Sequence, residues 1–358
     1  MDRKNASPLR WLRLEPPSWW YTGRIPAAAR ALAPVSALYG ALVKRRFRNA
    51  KPFRSKLPVV CAGNFTMGGA GKTPVALKLA ALLAECGIRA GFLSRGYGGC
   101  ERGPHLVAAP DDAARVGDEP ILLAEAAPTV ISRNRPAGAR HLETLAVNAI
   151  IMDDGFQNPS LAKNFSLIVI DAAAGLGTGR VFPLGPLRAP LAFQAGRTDA
   201  ILLLGEGTGG EEALERLNSS LRQAPSAPDF FARGRNVFEA RIVPQAGGEM
   251  RAQPYVAFCG IGRPAKFFET LRGANVAALK CRAFPDHYPY TEADARALLA
   301  AAKALGAGLI TTGKDLARLK GASGARAELL ASARALPIAV EFAGDDEALL
   351  LKAILSRF

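Results

Sequence analysis

The stretch Asn64–Pro74 reads NFTMGGAGKTP, and the reading of the whole chain turns on it. It ends in Gly71-Lys72-Thr73, the close of a phosphate-binding loop, yet Thr66 stands where the G-x-x-x-x-G-K-[ST] pattern has its first glycine. Such a loop needs a buried strand before it, backbone N–H groups able to wrap phosphate oxygens, and a helix whose N-terminal dipole faces the anion. The run LPVVCAG supplies the strand, and Gly68, Gly69 and Gly71 allow close backbone approach. Val75–Cys86 has helical spacing, with Pro74 suited to its first turn and Gly87 to its end. Thr66 then requires no more than an ordinary backbone conformation at that corner. The expected nucleotide cradle is Thr66, Met67, Gly68 and Gly69 with Ala70, Gly71, Lys72 and Thr73. Lys72 is placed to reach the β- and γ-phosphates and Thr73 to offer its hydroxyl to Mg²⁺.

A site of this kind also needs a carboxylate at the end of a neighbouring strand. NAIIMDDGFQ has that form: Ala149–Met152 runs into Asp153 and Asp154, and Gly155 turns the chain. Either acid can serve as the Mg²⁺ ligand beside Thr73. Short apolar runs at Leu57–Ala62, Ala90–Leu93, Thr129–Ile131, Leu167–Ile170 and Ala200–Leu204 read as further buried strands alternating with helices. The expected fold is therefore α/β, a P-loop NTPase-like parallel sheet with helices on both faces. Past GEGTGGEE the pattern resumes with strands at Tyr255–Phe258, Leu309–Thr312 and Ile338–Phe342 and a helix over Glu292–Leu305, a second, smaller α/β lobe. The boundaries this implies are 1–56 for an N-terminal segment, 57–205 for the nucleotide-binding domain and 206–358 for the second lobe.

Hydrophobic residues at 49% and charged ones at 22% describe a folded chain and exclude disorder as its main state. The net charge of +15 is concentrated: residues 1–56 carry 13 basic and two acidic side chains, +11 of the total. Trp11, Trp19 and Trp20 lie in the same segment, ahead of an Ala/Leu/Val-rich run over Ile25–Val43 that ends in the cluster Lys44-Arg45-Arg46-Phe47-Arg48. Aromatic, apolar and basic blocks in that order predict an amphipathic helix lying on an anionic membrane surface rather than nucleic-acid binding. Arg30, Pro26 and Pro34 argue against a membrane span, and no signal peptide precedes the run. Five cysteines without a C-x-x-C pair read as buried free thiols.

The chain resembles the tetraacyldisaccharide 4'-kinase family of lipid A biosynthesis. That resemblance is carried by GNFTMGGAGKTP, LSRGYGG (Leu93–Gly99), VGDEP (Val116–Pro120), MDDGFQN (Met152–Asn158), FPLGPLR (Phe182–Arg188), FCGIGRP (Phe258–Pro264), FPDHYPYT (Phe284–Thr291) and TTGKD (Thr311–Asp315). It implies ATP- and Mg²⁺-dependent phosphorylation of the 4'-hydroxyl of an acylated glucosamine disaccharide 1-phosphate, by a peripheral protein at the cytoplasmic face of the bacterial inner membrane. It also implies that Asp118 of GDEP and His287 of DHYPY, with Lys72, form the catalytic set. Of the three histidines, His105 is expected in an exposed loop and His141 within a helix.

Three departures from the family pattern stand out: Asn158 where histidine is usual, Gly313 where glutamate is usual, and small residues at Ala172–Ala174. An alternative is a regulatory or metal-insertion P-loop NTPase with a basic partner-binding arm. The chain lacks the N-K-x-D base-recognition motif that this alternative calls for.

Overall fold

Val59–Gly63 (β1) is apolar throughout and buried on both faces: Val59 and Cys61 join one core, Val60 and Ala62 the other. Only a strand covered by helices on each side can bury both sets, which is the condition of a parallel α/β sheet. The computed structural model describes residues 16–22, 24–222 and 230–358. In chain order its further strands are β2 (Ala90–Ser94), β3 (His105–Leu106), β4 (Thr129–Ile131), β5 (Ala149–Asp153), β6 (Phe165–Asp171), β7 (Ala200–Leu204), β8 (Val237–Pro244), β9 (Tyr255–Cys259), β10 (Ala278–Ala283), β11 (Gly308–Thr311), β12 (Ala333–Ala335) and β13 (Ile338–Phe342).

Nine strands form the large sheet in the order β13-β8-β7-β6-β1-β5-β2-β4-β3. All neighbours are parallel except the two edge pairs, β13 on β8 and β3 on β4. Helices Lys72–Glu85 and Asp346–Leu355 bury Leu79, Leu83, Leu350 and Ile354 against one face. Arg135–Glu143 and Gly209–Leu221 bury Leu142, Leu214 and Leu217 against the other. The order places β1 between β5 and β6, so the chain leaves the P-loop strand toward both halves of the sheet. Ligands in open α/β sheets bind at such a point, beyond the carboxyl ends of the strands.

A second sheet, β10-β9-β11-β12, is wholly parallel. Val256 and Phe258 pack with Leu298 and Ala302 of helix Glu292–Ala304, while Tyr255, Ala257 and Cys259 meet Phe267 and Leu271 of helix Pro264–Gly273. The division expected at residue 205 does not follow the sheets. β8 and β13 pair antiparallel at the edge of the large sheet, so the second sheet, drawn from residues 255–335, is inserted between them. A strand's partner about a hundred residues away leaves no mark in its local pattern.

The N-terminal run folds as helices Ala27–Arg30 and Ala33–Asn49. Ser36 donates to the carbonyl of Val181 at 2.6 Å, Tyr39 meets Phe182, and Phe47 meets Phe193. Trp20 differs from the interfacial role expected of the tryptophans: it is 4% exposed, packs on Phe182 and donates its indole N–H to the carbonyl of Pro183. Trp11 lies outside the described residues. Among the described residues no helix is long and apolar enough to cross a membrane. His105 is on edge strand β3, bonded to Asp111 at 2.7 Å, rather than in a free loop. All five cysteines are free as expected, but only Cys61 and Cys259 are buried.

At the end of β1 a Cβ on Gly63 would lie 2.5 Å from that of Phe156. Gly63→Ala must push apart the turn that follows Asp153 and Asp154, an overpacking cost of about 1–3 kcal/mol. Thermal unfolding of the variant is expected several degrees below wild type; an unchanged melting temperature refutes the close approach.

Candidate functional site

The loop between β1 and helix Lys72–Glu85 has the backbone that its glycines call for. Gly68 and Gly71 have φ of 104° and 80°, and nothing lies within 4 Å of a Cβ built on Gly68 or Gly69. The phosphate side of the loop is therefore open backbone. Thr66 is not among the positive-φ residues: it bridges Leu187, and its carbonyl accepts from Arg188 Nε at 2.9 Å. Extended pairing explains why no glycine is needed there. The Met67 N–H is likewise taken by the carbonyl of Pro186. Ala70 is buried.

Lys72 and Thr73 open the helix at the carboxyl edge of the sheet, and both are buried. Lys72 Nζ lies 3.9 Å from Asp154, and Thr73 Oγ1 donates to Asp153 Oδ2 at 3.3 Å. The two adjacent acids have different surroundings. Asp154, at a left-handed φ of 52°, is gripped by Arg188 through both oxygens, at 2.8 and 3.3 Å. Against the cost of burial, Lys72 and Arg188 hold its carboxyl below the ordinary range, at about 2. For Asp153, burial and then the nearby charge of Glu119 push the carboxyl up to about 7, and its Oδ1 is buried without a partner.

Asp118 and His287 come together across the lobes. Asp118 opens the helix Asp118–Ala124, and His287 sits in the turn after β10 with φ of 55° and its N–H on the carbonyl of Gly260. His287 Nδ1 is 2.9 Å from Asp118 Oδ2, and the Tyr97 ring meets the imidazole edgewise at 5.3 Å. Burial disfavours the Asp118 anion, but the hydrogen bond with His287 and the charge of Arg318 overcome it and hold the carboxyl far below the usual range. Since Asp118 Oδ1 accepts the N–H of Glu119, both carboxylate oxygens are engaged.

Glu119 and Lys314 had no role in the sequence reading, yet they join the two halves of the site. Lys314, at the start of helix Gly313–Leu319, reaches Glu119 at 2.6 Å, and the charge of Glu119 acts in turn on Asp153. Arg318 and Arg135 were also missed. Arg135 is buried and donates to the carbonyls of Ser94 and Ser132. The only signal available was a basic residue in a helix, which ordinarily marks a solvated face. Of the departures, Asn158 accepts from the N–H and hydroxyl of Ser160, a local turn bond, and Gly313 opens its helix against Leu122. The amides of Ala173 and Ala174 both donate to Asp171.

The Asp153 carboxyl gives the site a pH signature. An unfolded chain loses this proton near pH 4, whereas the folded protein keeps it to about 7. The native state thus binds more protons within that window and loses stability as pH rises through it. Asp153→Asn is expected to flatten the fall in melting temperature between about pH 4 and 7 in metal-free protein. Parallel curves for the two proteins across that range refute the assignment.

Comparison with known proteins identifies the family. The family model described as Tetraacyldisaccharide-1-P 4'-kinase matches residues 28–357. A tetraacyldisaccharide 4'-kinase of Methylobacterium nodulans is 48% identical over 338 residues, covering 93% of this chain and 94% of that protein. One from Parvibaculum lavamentivorans is 45% identical over 328 residues, covering 90% and 92%. The crystal structure of an "apo" form of LpxK from Aquifex aeolicus in complex with ATP is similar at a TM-score of 0.68 and 25% identity, covering 92% of this chain and 99% of that one. With the match running from the first N-terminal helix to the last residue but one, this chain belongs to the tetraacyldisaccharide-1-P 4'-kinase family.

Proposed function

We propose that this chain transfers the γ-phosphoryl group of ATP to the 4'-hydroxyl of tetraacyldisaccharide 1-phosphate, a step of lipid A biosynthesis. The observation that carries this reading is the histidine of one lobe held by a buried carboxylate of the other, beside an open P-loop. A phosphoryl transferase needs a phosphate cradle and a group that takes the acceptor's proton.

The residues divide the work accordingly. Lys72 and the loop N–H groups bind and orient the phosphates in a site whose burial strengthens each charge. Asp118 already accepts three hydrogen bonds and stays ionised, so it serves to orient His287 and stabilise the imidazolium. His287 Nε2 then takes the hydroxyl proton as the oxygen attacks phosphorus, and the bond from phosphorus to the departing ADP oxygen breaks. The donor set fits Mg²⁺: Thr73 Oγ1, Asp153 Oδ2 and the unpartnered Asp153 Oδ1 are hard oxygens. Among the described residues no cluster of three His, Cys, Asp or Glu side chains forms a cage, which suits an ion completed by phosphate and water. Mg²⁺, when bound, neutralises phosphate charge. Asp153 is the direct ligand on this reading, because Asp154 is occupied by Arg188 and Lys72.

The lipid substrate explains the outer face of helix Ala33–Asn49. Val35, Leu38 and Leu42 are 53%, 61% and 54% exposed on one stripe, leading into Lys44, Arg45, Arg46 and Arg48. An apolar stripe with cationic flanks suits partial immersion in an anionic bilayer, and ATP supply sets the cytoplasmic face. On this reading the partner is membrane rather than nucleic acid.

Mass spectrometry of the lipid disaccharide 1-phosphate after incubation with protein and Mg·ATP is expected to show the gain of one phosphate. Lys72→Ala is expected to reduce that gain about 10²- to 10³-fold with the fold intact. Asp118→Ala and His287→Ala should each lower kcat by about 10²- to 10⁴-fold, and the double variant little more than the worse single. Product formation by Lys72→Ala at the wild-type rate, or multiplicative losses in the pair, overturn the corresponding assignment.

The membrane reading has its own test. Leu38→Glu with Leu42→Glu should weaken sedimentation with vesicles containing phosphatidylglycerol by about tenfold or more, since each buried Leu contributes roughly 1.5–3 kcal/mol. KM for lipid should rise while ATP binding is unchanged. Vesicle binding equal to wild type refutes it.

A further inference from the structure

We infer that Arg318 is the positioning residue that builds the Asp118–His287 base pair when the lobes meet. This rests on the proposed role of that pair and adds a group that none of the motifs identified. Arg318 lies in helix Gly313–Leu319 of the second lobe, with a side chain 6% exposed. Its Nε is 2.7 Å and its Nη2 2.6 Å from Asp118 Oδ2, the oxygen that also meets His287 Nδ1. Its Nη1 donates at 2.6 Å to the carbonyl of Gly260, which also accepts the backbone N–H of His287 at 3.0 Å. One guanidinium therefore fixes the carboxylate directly and the histidine through its backbone anchor.

Nη1 is held on the second-lobe side as well. Nη1 also meets Asp315 Oδ1 at 2.6 Å, and that oxygen accepts from the Gly260 N–H at 2.9 Å and the Tyr290 hydroxyl at 2.8 Å. Arg318 thus reaches the first lobe from a rigid second-lobe frame. His287, at its left-handed φ, takes its backbone anchor from the same frame through the carbonyl of Gly260. Planar guanidinium geometry is what this task requires, because a lysine ammonium cannot address Asp118 and Gly260 along two fixed directions.

A fixed positive charge here also sets when the pair can act as a base. The charged groups facing it are Arg318, Lys314 and Asp315 from helix Gly313–Leu319, Glu119 from the helix of Asp118, and Asp286 from the turn of His287. Tyr97 and Tyr290 are the titratable aromatic groups beside it. Removing Arg318 takes away a buried cation in contact with Asp118, so the rise of activity with pH moves upward.

The test compares Arg318→Met, Arg318→Gln and Arg318→Lys with Asp118→Ala and His287→Ala in the full chain. The readouts are kcat, KM for ATP and lipid, and kcat against pH. Arg318→Met is expected to lose about 10- to 100-fold in kcat, within the range of general base catalysis. KM for ATP should hold within about threefold and the ascending limb should move to higher pH. Arg318→Lys should recover part of the rate and most of the pH profile. Arg318→Gln keeps donors without the charge, so it should show the same pH shift; it carries the test if Arg318→Met does not fold. In an Asp118→Ala background, Arg318→Met should cost little more. Unchanged kcat and pH profile in the folded Arg318 variants overturn the inference, as does a loss shared equally by kcat, both KM values and melting temperature. Full activity in Asp118→Ala and His287→Ala instead overturns the base-pair reading itself.

Discussion

One buried carboxylate oxygen, Asp118 Oδ2, holds the two lobes in the arrangement that makes a site. It meets His287 and Arg318 from the second lobe while its own helix belongs to the first. Burying a carboxylate and a guanidinium is costly unless the geometry is close and the remaining donors are satisfied. Here Nη1 is satisfied by Gly260 and Asp315, which are themselves fixed by β9 and helix Gly313–Leu319, while Nη2 has only its ion pair with Asp118. Removing either partner leaves an uncompensated charge, so the arrangement favours one relative position of the lobes over others.

The same logic runs inward to the P-loop. Asp154 is neutralised by Lys72 and Arg188, and Glu119 by Lys314, whereas Asp153 sits between these pairs with one oxygen unpaired. Two paired carboxylates beside one that is not is an uneven distribution of negative charge. A buried acid raised by its neighbours marks the position where a cation or proton is energetically wanted, and raised carboxyls gather at functional sites for that reason. Thr73 brings a neutral oxygen to the same point without adding charge.

The central strands were legible because a strand buried on both faces is apolar along its length, as β1 and β7 are and as β5 is up to its terminal Asp153. β10 was not: its sequence ALKCRA lies on an exposed edge and carries charges where a buried strand would not. The inserted second sheet was legible as strands and helices but not as an insertion, because the pairing of β8 with β13 is a long-range contact. In the site, Lys72, Thr73, Asp153 and Asp154 could be read from spacing, since a phosphate cradle and its carboxylate impose residue types at fixed offsets. Asp118 and His287 could be proposed only from their resemblance to a family, being 169 residues apart. Arg318 and Lys314 were hidden because a cation on a short helix looks solvated until its partner on another element is known.

Trp20 shows how a composition signal that describes a whole segment can be wrong about one of its residues. Its indole was expected to point to lipid, but it is packed on Phe182, while the carbonyl of Trp20 accepts the N–H of Thr178 at 2.7 Å. Its neighbour Tyr21 donates to the carbonyl of Met67 in the P-loop at 3.4 Å. From the other side, Arg188 in the same FPLGPLR turn bonds both Thr66 and Asp154. The segment leading into helix Ala33–Asn49 is therefore tied to the phosphate loop directly through Tyr21 and indirectly through the FPLGPLR turn. For a substrate whose chains remain in a bilayer, that connection has a geometric consequence. On the membrane reading proposed above, the depth at which the helix rests on the surface would set the height of the phosphate loop above it, and so which hydroxyl of the disaccharide comes within reach of phosphorus.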